Sequence, residues 1–168
     1  MIDNTDVLFY KVKTKSSIRK ELLEVAQSIA VWDRPMTFFS KICPADLYLK
    51  EDLFKILGPL IDEDVRKIKI FKIPAWTYYG IHTDSIRHSA FNMLLNDTCD
   101  STSFFQNTPF KHTQCEITEC VYELDHWYLF NTQVPHAVLN RGQDRYVLSV
   151  QGSEIYDVAL TYVKENNL

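Results

Sequence analysis

The chain has 168 residues, of which 46% are hydrophobic and 24% charged, with a formal net charge of −4. This composition excludes a disordered chain, and the length suffices to bury roughly 70% of the unfolded surface without disulfide or metal staples. The weak acidity argues against nucleic acid or an anionic membrane as the main partner. The four glycines form no phosphate-cradling loop of the GxGxxG or GxxxxGK[ST] kind.

The first fifteen residues, MIDNTDVLFYKVKTK, carry acids and lack the apolar centre of a signal peptide. No run approaches the roughly 18 apolar residues of a membrane span. Cys43, Cys99, Cys115 and Cys120, with no secretion signal, suggest reduced thiols in a cytosolic setting.

In chain order, Val7-Leu8-Phe9-Tyr10 reads as a strand. Ser17 can cap a helix whose apolar stripe is Ile18, Leu22, Val25, Ala26 and Ile29. A second short helix is expected at 50–57, stopped by Gly58-Pro59. From about Val65 the period changes to two, beginning with Lys67-Ile68-Lys69-Ile70. Further strands are expected at 76–81, 89–95, 103–106, 113–122, 127–131, 134–139 and 145–150, separated by Asn, Asp, Pro and Gly turn signals. Helical spacing returns at Ile155, Val158, Ala159 and Tyr162. The expected fold class is mainly β with flanking helices (α+β), an antiparallel sandwich or barrel. It forms one domain over 1–168: a helical N-terminal region over 1–64 packed on a β core over 65–152, and a C-terminal helix over 154–166.

Chemistry concentrates in that second half. His82 and Asp84 are two apart in an extended segment, so an imidazole and a carboxylate share one side. His136 lies on a later strand. Two histidines and one carboxylate form the ligand set that leaves three positions open on iron(II). If Asn140-Arg141-Gly142-Gln143 is a hairpin loop, Val138 faces Arg145, and Arg145 becomes a diagonal neighbour of His136 at roughly 7–8 Å. A guanidinium there suits the far carboxylate of a dicarboxylate chelated to the metal. Arg141 falls in the loop, and Ser149 adds a hydroxyl on the face of Arg145.

Taken together, Gly80-Ile81-His82-Thr83-Asp84-Ser85, Val134-Pro135-His136-Ala137-Val138-Leu139-Asn140 and Arg145-Tyr146-Val147-Leu148-Ser149 resemble the iron(II)/2-oxoglutarate oxygenase superfamily. The likeness covers about 65–152 and is greatest to small bacterial and phage members. It extends to aspartyl/asparaginyl β-hydroxylases and prolyl hydroxylases. The resemblance implies a double-stranded β-helix (jelly roll, cupin-like), with His82, Asp84 and His136 binding Fe(II) and Arg145 binding the C5 carboxylate of 2-oxoglutarate. Asn92 and Tyr79 match positions that contact the co-substrate. The activity implied is hydroxylation of a C–H bond by O2 with conversion of 2-oxoglutarate to succinate and CO2, ascorbate serving as reductant. Asp84 occupies the position a halide would need, which favours hydroxylation over halogenation. The implied substrate is an amino-acid residue in a peptide or protein, or a small amino-acid-like molecule. Many members carry Arg-x-Ser, whereas Val147 stands two residues after Arg145 here, and animal aspartyl hydroxylases lack the carboxylate ligand that Asp84 supplies. The rival reading is a non-catalytic jelly-roll module that binds a metal or ligand. The oligomeric state is open.

Two further groupings carry less. His112, Cys115, Cys120 and His126 do not have the spacing of a paired zinc knuckle, and positions 115 and 120 of a strand face opposite sides. Phe38, Phe39, Trp76, Tyr78 and Trp127 are core aromatics or the lining of a substrate mouth. Arg87 and His88 face substrate or solvent.

Overall fold

The computed structural model describes residues 4–33, 39–44, 50, 58–61, 67–98, 100–107 and 115–168. Among them are ten strands: β1 (Phe9–Lys15), β2 (Phe39–Ile42), β3 (Ile68–Ile73), β4 (Thr77–His82), β5 (Ser89–Leu94), β6 (Thr102–Asn107), β7 (Cys115–Cys120), β8 (His126–Asn131), β9 (His136–Asn140) and β10 (Arg145–Gln151). Two helices, α1 (Arg19–Ser28) and α2 (Tyr156–Glu165), flank them. The major sheet has the order β1-β8-β5-β10-β3-β2 and the minor sheet β4-β9-β6-β7. Every pairing is antiparallel. The architecture is mainly β with two helices, two facing antiparallel sheets as the alternating pattern predicts, in the jelly-roll form that the resemblance implies.

Alternation decides what each sheet face carries. On β10, Tyr146, Leu148 and Val150 join Ile68 and Ile70 of β3, Phe91 and Met93 of β5, and Trp127 and Leu129 of β8 in one apolar layer. Leu22 and Ala26 of α1, and Tyr156, Ala159 and Val163 of α2, close that layer from outside. The opposite face turns Arg145, Val147, Ser149 and Gln151 towards the minor sheet. There Leu8, Phe104, Cys120, Tyr128 and Phe130 fill one end of the space between the sheets. The remainder is a cavity of about 370 Å3.

The structure corrects three expectations and leaves a fourth outside the described residues. The N-terminal region does not only pack outside the β core: β1 pairs with β8 and β2 with β3, so it supplies both edge strands of the major sheet. The helix cap is not Ser17. The Ile18 N–H donates to Ser16 Oγ at 3.2 Å, because Ser16 itself is tied by its N–H to the Asp125 carbonyl. The expected helix at 50–57 lies outside the described residues apart from Lys50. Most consequential, β9 and β10 are not hairpin partners. β9 pairs with β4 and β6, β10 with β3 and β5, and residues 141–144 cross from one sheet to the other. Arg145 lies opposite Ile73, not Val138.

The aromatics resolve mainly as core and outer surface. Trp127 is wholly buried and Trp76 and Tyr78 are exposed. Neither these three nor Phe39 lines the cavity. Phe38, His112 and Cys99 lie outside the described residues. Cys115 is exposed and Cys120 buried, at opposite ends of β7, which removes the alternative zinc grouping. No helix among the described residues is long and apolar enough to cross a membrane.

Candidate metal and ligand site

His82 ends β4 and His136 opens β9, and the two are direct partners across the strand pair. The register makes this possible only through an irregularity: Tyr79 faces Val138, but three residues on, His82 faces His136, one step out of phase. A bulge of this kind re-aims a side chain. Here it turns both Tyr79 and His82 into the cavity while Ile81 points outward. Their ring centroids, and those of His82 and His136, lie 4.3 and 4.4 Å apart. Asp84 follows β4 and is pinned by its N–H to the Thr132 carbonyl at 3.0 Å.

Ligand atoms of His82, Asp84 and His136 all lie within 4.8 Å of one another, and among the described residues they are the one such cluster of three or more His, Cys, Asp or Glu. The Nδ1 of His82 faces the Gly80 carbonyl at 2.7 Å and that of His136 the Val134 carbonyl at 2.9 Å. A ring nitrogen facing a carbonyl must carry the proton, which leaves Nε2 of each imidazole as a lone pair available to a metal. Burial holds His136 below the ordinary histidine range, and the neighbouring His82 adds to the effect, so its neutral form is favoured. His82 Nε2 stands 3.8 Å from Asp84 Oδ1. The other carboxylate oxygen, Oδ2, accepts from Nε and Nη2 of Arg87, each at 2.7 Å. Arg87 Nη1 also donates to Ser149 Oγ at 2.9 Å. Asp84 is thus held by one oxygen while the other faces the histidines. Three ligand atoms of this type, gathered on the wall of a cavity, fit a divalent cation with open positions.

The other notable feature of the cavity is a buried cation. Arg145 is 1% exposed and makes no ion pair among the described residues. Its Nη1 donates to the Ser101 carbonyl at 3.0 Å and Nη2 to Thr102 Oγ1 at 3.1 Å, while Nε has no partner among the described residues. The guanidinium lies 4.9 Å from the centre of the Tyr122 ring. The Tyr122 and Thr102 hydroxyls are 3.2 Å apart. Burial pushes the Tyr122 phenol up, so it stays protonated as a donor. A buried guanidinium with no carboxylate is costly unless an anion arrives. Arg141, by contrast, is exposed, and its N–H donates to Asp100 Oδ2.

The structure therefore brings together all seven residues singled out from the sequence: His82, Asp84, His136, Arg145, Asn92, Tyr79 and Ser149 all line the cavity. Asn92 is buried on β5 between Ser149 of β10 and Tyr128 of β8. Burial and the nearby Asp84 push the Tyr79 phenol up. The Ser149 hydroxyl is used by Arg87 and is not beside Arg145. Sequence reading missed Thr102 and Tyr122, on the minor-sheet side of the cavity, and Lys69, on the major-sheet side. His88 is exposed.

No protein-family model and no curated protein sequence matches the chain. Solved structures do. A prolyl hydroxylase from Trichoplax adhaerens, in complex with a hypoxia-inducible-factor oxygen-degradation-domain peptide fragment, superposes with a TM-score of 0.62 at 14% identity, over 91% of this chain and 86% of that one. An oxidoreductase of the 2OG-Fe(II) oxygenase family from Burkholderia pseudomallei gives 0.58 at 10% identity, over 88% and 84%. A Pseudomonas putida prolyl-4-hydroxylase gives 0.57 at 13% identity, over 81% and 85%. The chain has the fold of the 2-oxoglutarate/iron(II) oxygenases, prolyl hydroxylases among them.

Proposed function

We propose that this chain is an iron(II)- and 2-oxoglutarate-dependent dioxygenase that hydroxylates a C–H bond of an amino-acid residue in a peptide or protein. The observation that carries the proposal is one cavity holding both an open two-histidine, one-carboxylate cluster and a buried guanidinium with no carboxylate partner among the described residues. Either feature alone has ordinary structural explanations; together they match a metal and a metal-chelating diacid. The oxygenase fold and the peptide bound by the Trichoplax enzyme support the reading.

In this reading His82, Asp84 and His136 hold the metal, with Arg87 fixing the Asp84 carboxylate. Arg145 takes the far carboxylate of 2-oxoglutarate, assisted by the Tyr122 and Thr102 hydroxyls. Asn92 and Tyr79 contact the co-substrate from the wall. Phe130, Val138 and Val147 make a portion of that wall apolar and limit water. Bound iron supplies O2 activation and the oxidising power for C–H cleavage, with conversion of 2-oxoglutarate to succinate and CO2. Ascorbate serves as an auxiliary reductant.

The test is air-free addition of iron(II) and 2-oxoglutarate, followed in the visible range. A weak charge-transfer band of a chelated keto acid is expected, absent in His136→Ala. A wild-type chain that gives no band and binds no divalent cation would remove the proposal.

A further inference from the structure

The cations Lys69, Arg87 and Arg145 line the cavity beside Asp84, the one carboxylate among the described lining residues. This surplus stands out in a chain whose net charge is −4. A divalent metal and a dianionic co-substrate cancel one another, so the surplus remains for a further ligand. Arg87 is engaged by Asp84 and Ser149. Lys69 is half-buried, and its side chain makes no hydrogen bond or ion pair among the described residues.

Position decides what Lys69 can meet. It lies directly opposite Ser149 in the β3–β10 ladder. Such partners have Cβ atoms about 4.5–5.5 Å apart. Ser149 touches Arg87, which touches Asp84. Lys69 is thus linked to Asp84 only through Ser149 and Arg87, on the same cavity wall as Ser149. Arg145 lies opposite Ile73 on the same strand. Four residues of strand separate Lys69 from Ile73, about 13 Å at roughly 3.3 Å per residue. A five-carbon diacid has only four bonds between its carboxyl carbons, a span of about 5 Å. An anion seated on Arg145 leaves Lys69 unanswered.

We infer that Lys69 determines specificity by pairing with a carboxylate of the primary substrate, which is therefore an acidic peptide and not a neutral or basic one. Gln151, also on the cavity wall, offers an amide donor at the same end. The inference rests on the oxygenase reading for what fills the Arg145 end. The carboxylate belongs either to an Asp or Glu side chain or to a peptide C-terminus.

The probe is a set of C-terminally amidated peptide pools, identical except for a central Asp/Glu, Asn/Gln or Lys. They are incubated air-free with the full chain loaded with Mn(II) and 2-oxoglutarate, and retention is read by ultrafiltration and mass spectrometry. A further Asn/Gln pool with a free C-terminus separates the two carboxylate sources. Retention of a carboxylate-bearing pool over the amidated Asn/Gln pool by about fivefold or more is expected, the upper end for a partly exposed ion pair. The preference should vanish in Lys69→Gln and invert towards the Lys pool in Lys69→Glu. Equal retention of all pools, including none of any, overturns the inference, as does a preference that survives Lys69→Gln. Failure of the oxygenase reading shows separately, as absent Mn(II) and 2-oxoglutarate binding in a peptide-free calorimetric control. The pools are then compared on the unloaded chain, where the same outcomes decide the role of Lys69.

Discussion

Replacing Arg145 by methionine separates two jobs that a buried arginine can do. As a structural residue it would hold the segment before β6 through the Ser101 carbonyl and Thr102. As a ligand clamp it waits for an anion. The structure gives it no acidic partner among the described residues and leaves Nε unpaired. Removing it forfeits three hydrogen bonds, to the Asp100 and Ser101 carbonyls and to Thr102 Oγ1, and also removes the cost of an unpaired buried charge. These oppose one another, so stability should change by no more than about 2 kcal/mol. Affinity for 2-oxoglutarate should fall far more. Truncating one partner of a buried, hydrogen-bonded charge pair costs about 2–5 kcal/mol. That is about 30-fold to several-thousand-fold, at tenfold per 1.4 kcal/mol. The assay is calorimetric titration of the Mn(II)-loaded protein with 2-oxoglutarate, beside denaturant unfolding, with Arg141→Ala as the exposed control. Unchanged affinity with a large loss of stability in Arg145→Met would show the residue to be structural. Sensitivity at Arg141 with silence at Arg145 would refute the assignment.

Other consequences are equally specific. His82→Ala and His136→Ala should each lower divalent-cation affinity by more than the roughly 10–100-fold typical of losing a ligand's hydrogen-bond partner, read by equilibrium dialysis; wild-type affinity in both would mean the cluster is misassigned. Arg87→Ala should fall within that 10–100-fold range, because it frees the Asp84 carboxylate without removing it, and Arg87→Lys should recover some of the loss. Asp84→Ala should abolish most hydroxylation, measured as product formation; full activity would place the anionic ligand elsewhere. Gly152→Ala should lower the melting temperature by roughly 3–10 °C, about 1–3 kcal/mol. The added Cβ would stand 2.1 Å from Ser89 Oγ and displace it from the Glu154 carbonyl. An unchanged melting temperature would show that Ser89 moves freely.

What the sequence disclosed followed from local pattern. β10 was legible because Tyr146, Leu148 and Val150 alternate with Arg145, Val147 and Ser149, and that alternation alone points Arg145 away from the helices. The partner of β10 was not legible. Asn140-Arg141-Gly142-Gln143 has the chemistry of a hairpin loop, yet a turn signal does not say whether the chain returns to its own sheet or crosses to the other. Arg145 and the cluster line one cavity from different sheets, and the hairpin register that would make Arg145 and His136 diagonal neighbours does not occur. The bulge in β4 was signalled only by Gly80, since a glycine inside a strand often marks one. Thr102 and Tyr122 lie on or beside strands of the minor sheet and reach Arg145 only once the sheets close. β2 carries little alternation in Phe39-Ser40-Lys41-Ile42, and its place is set by the free edge of β3.

The most direct test of the account is succinate formation from 2-oxoglutarate by the purified chain with iron(II), ascorbate and O2. Turnover uncoupled from any prime substrate suffices. Succinate should accumulate with the wild-type chain, and it should fall to background with His136→Ala and on omission of iron. A wild-type chain that binds metal and 2-oxoglutarate yet forms no succinate, with or without the acidic peptide pool, would contradict the account and leave a ligand-binding jelly roll without turnover.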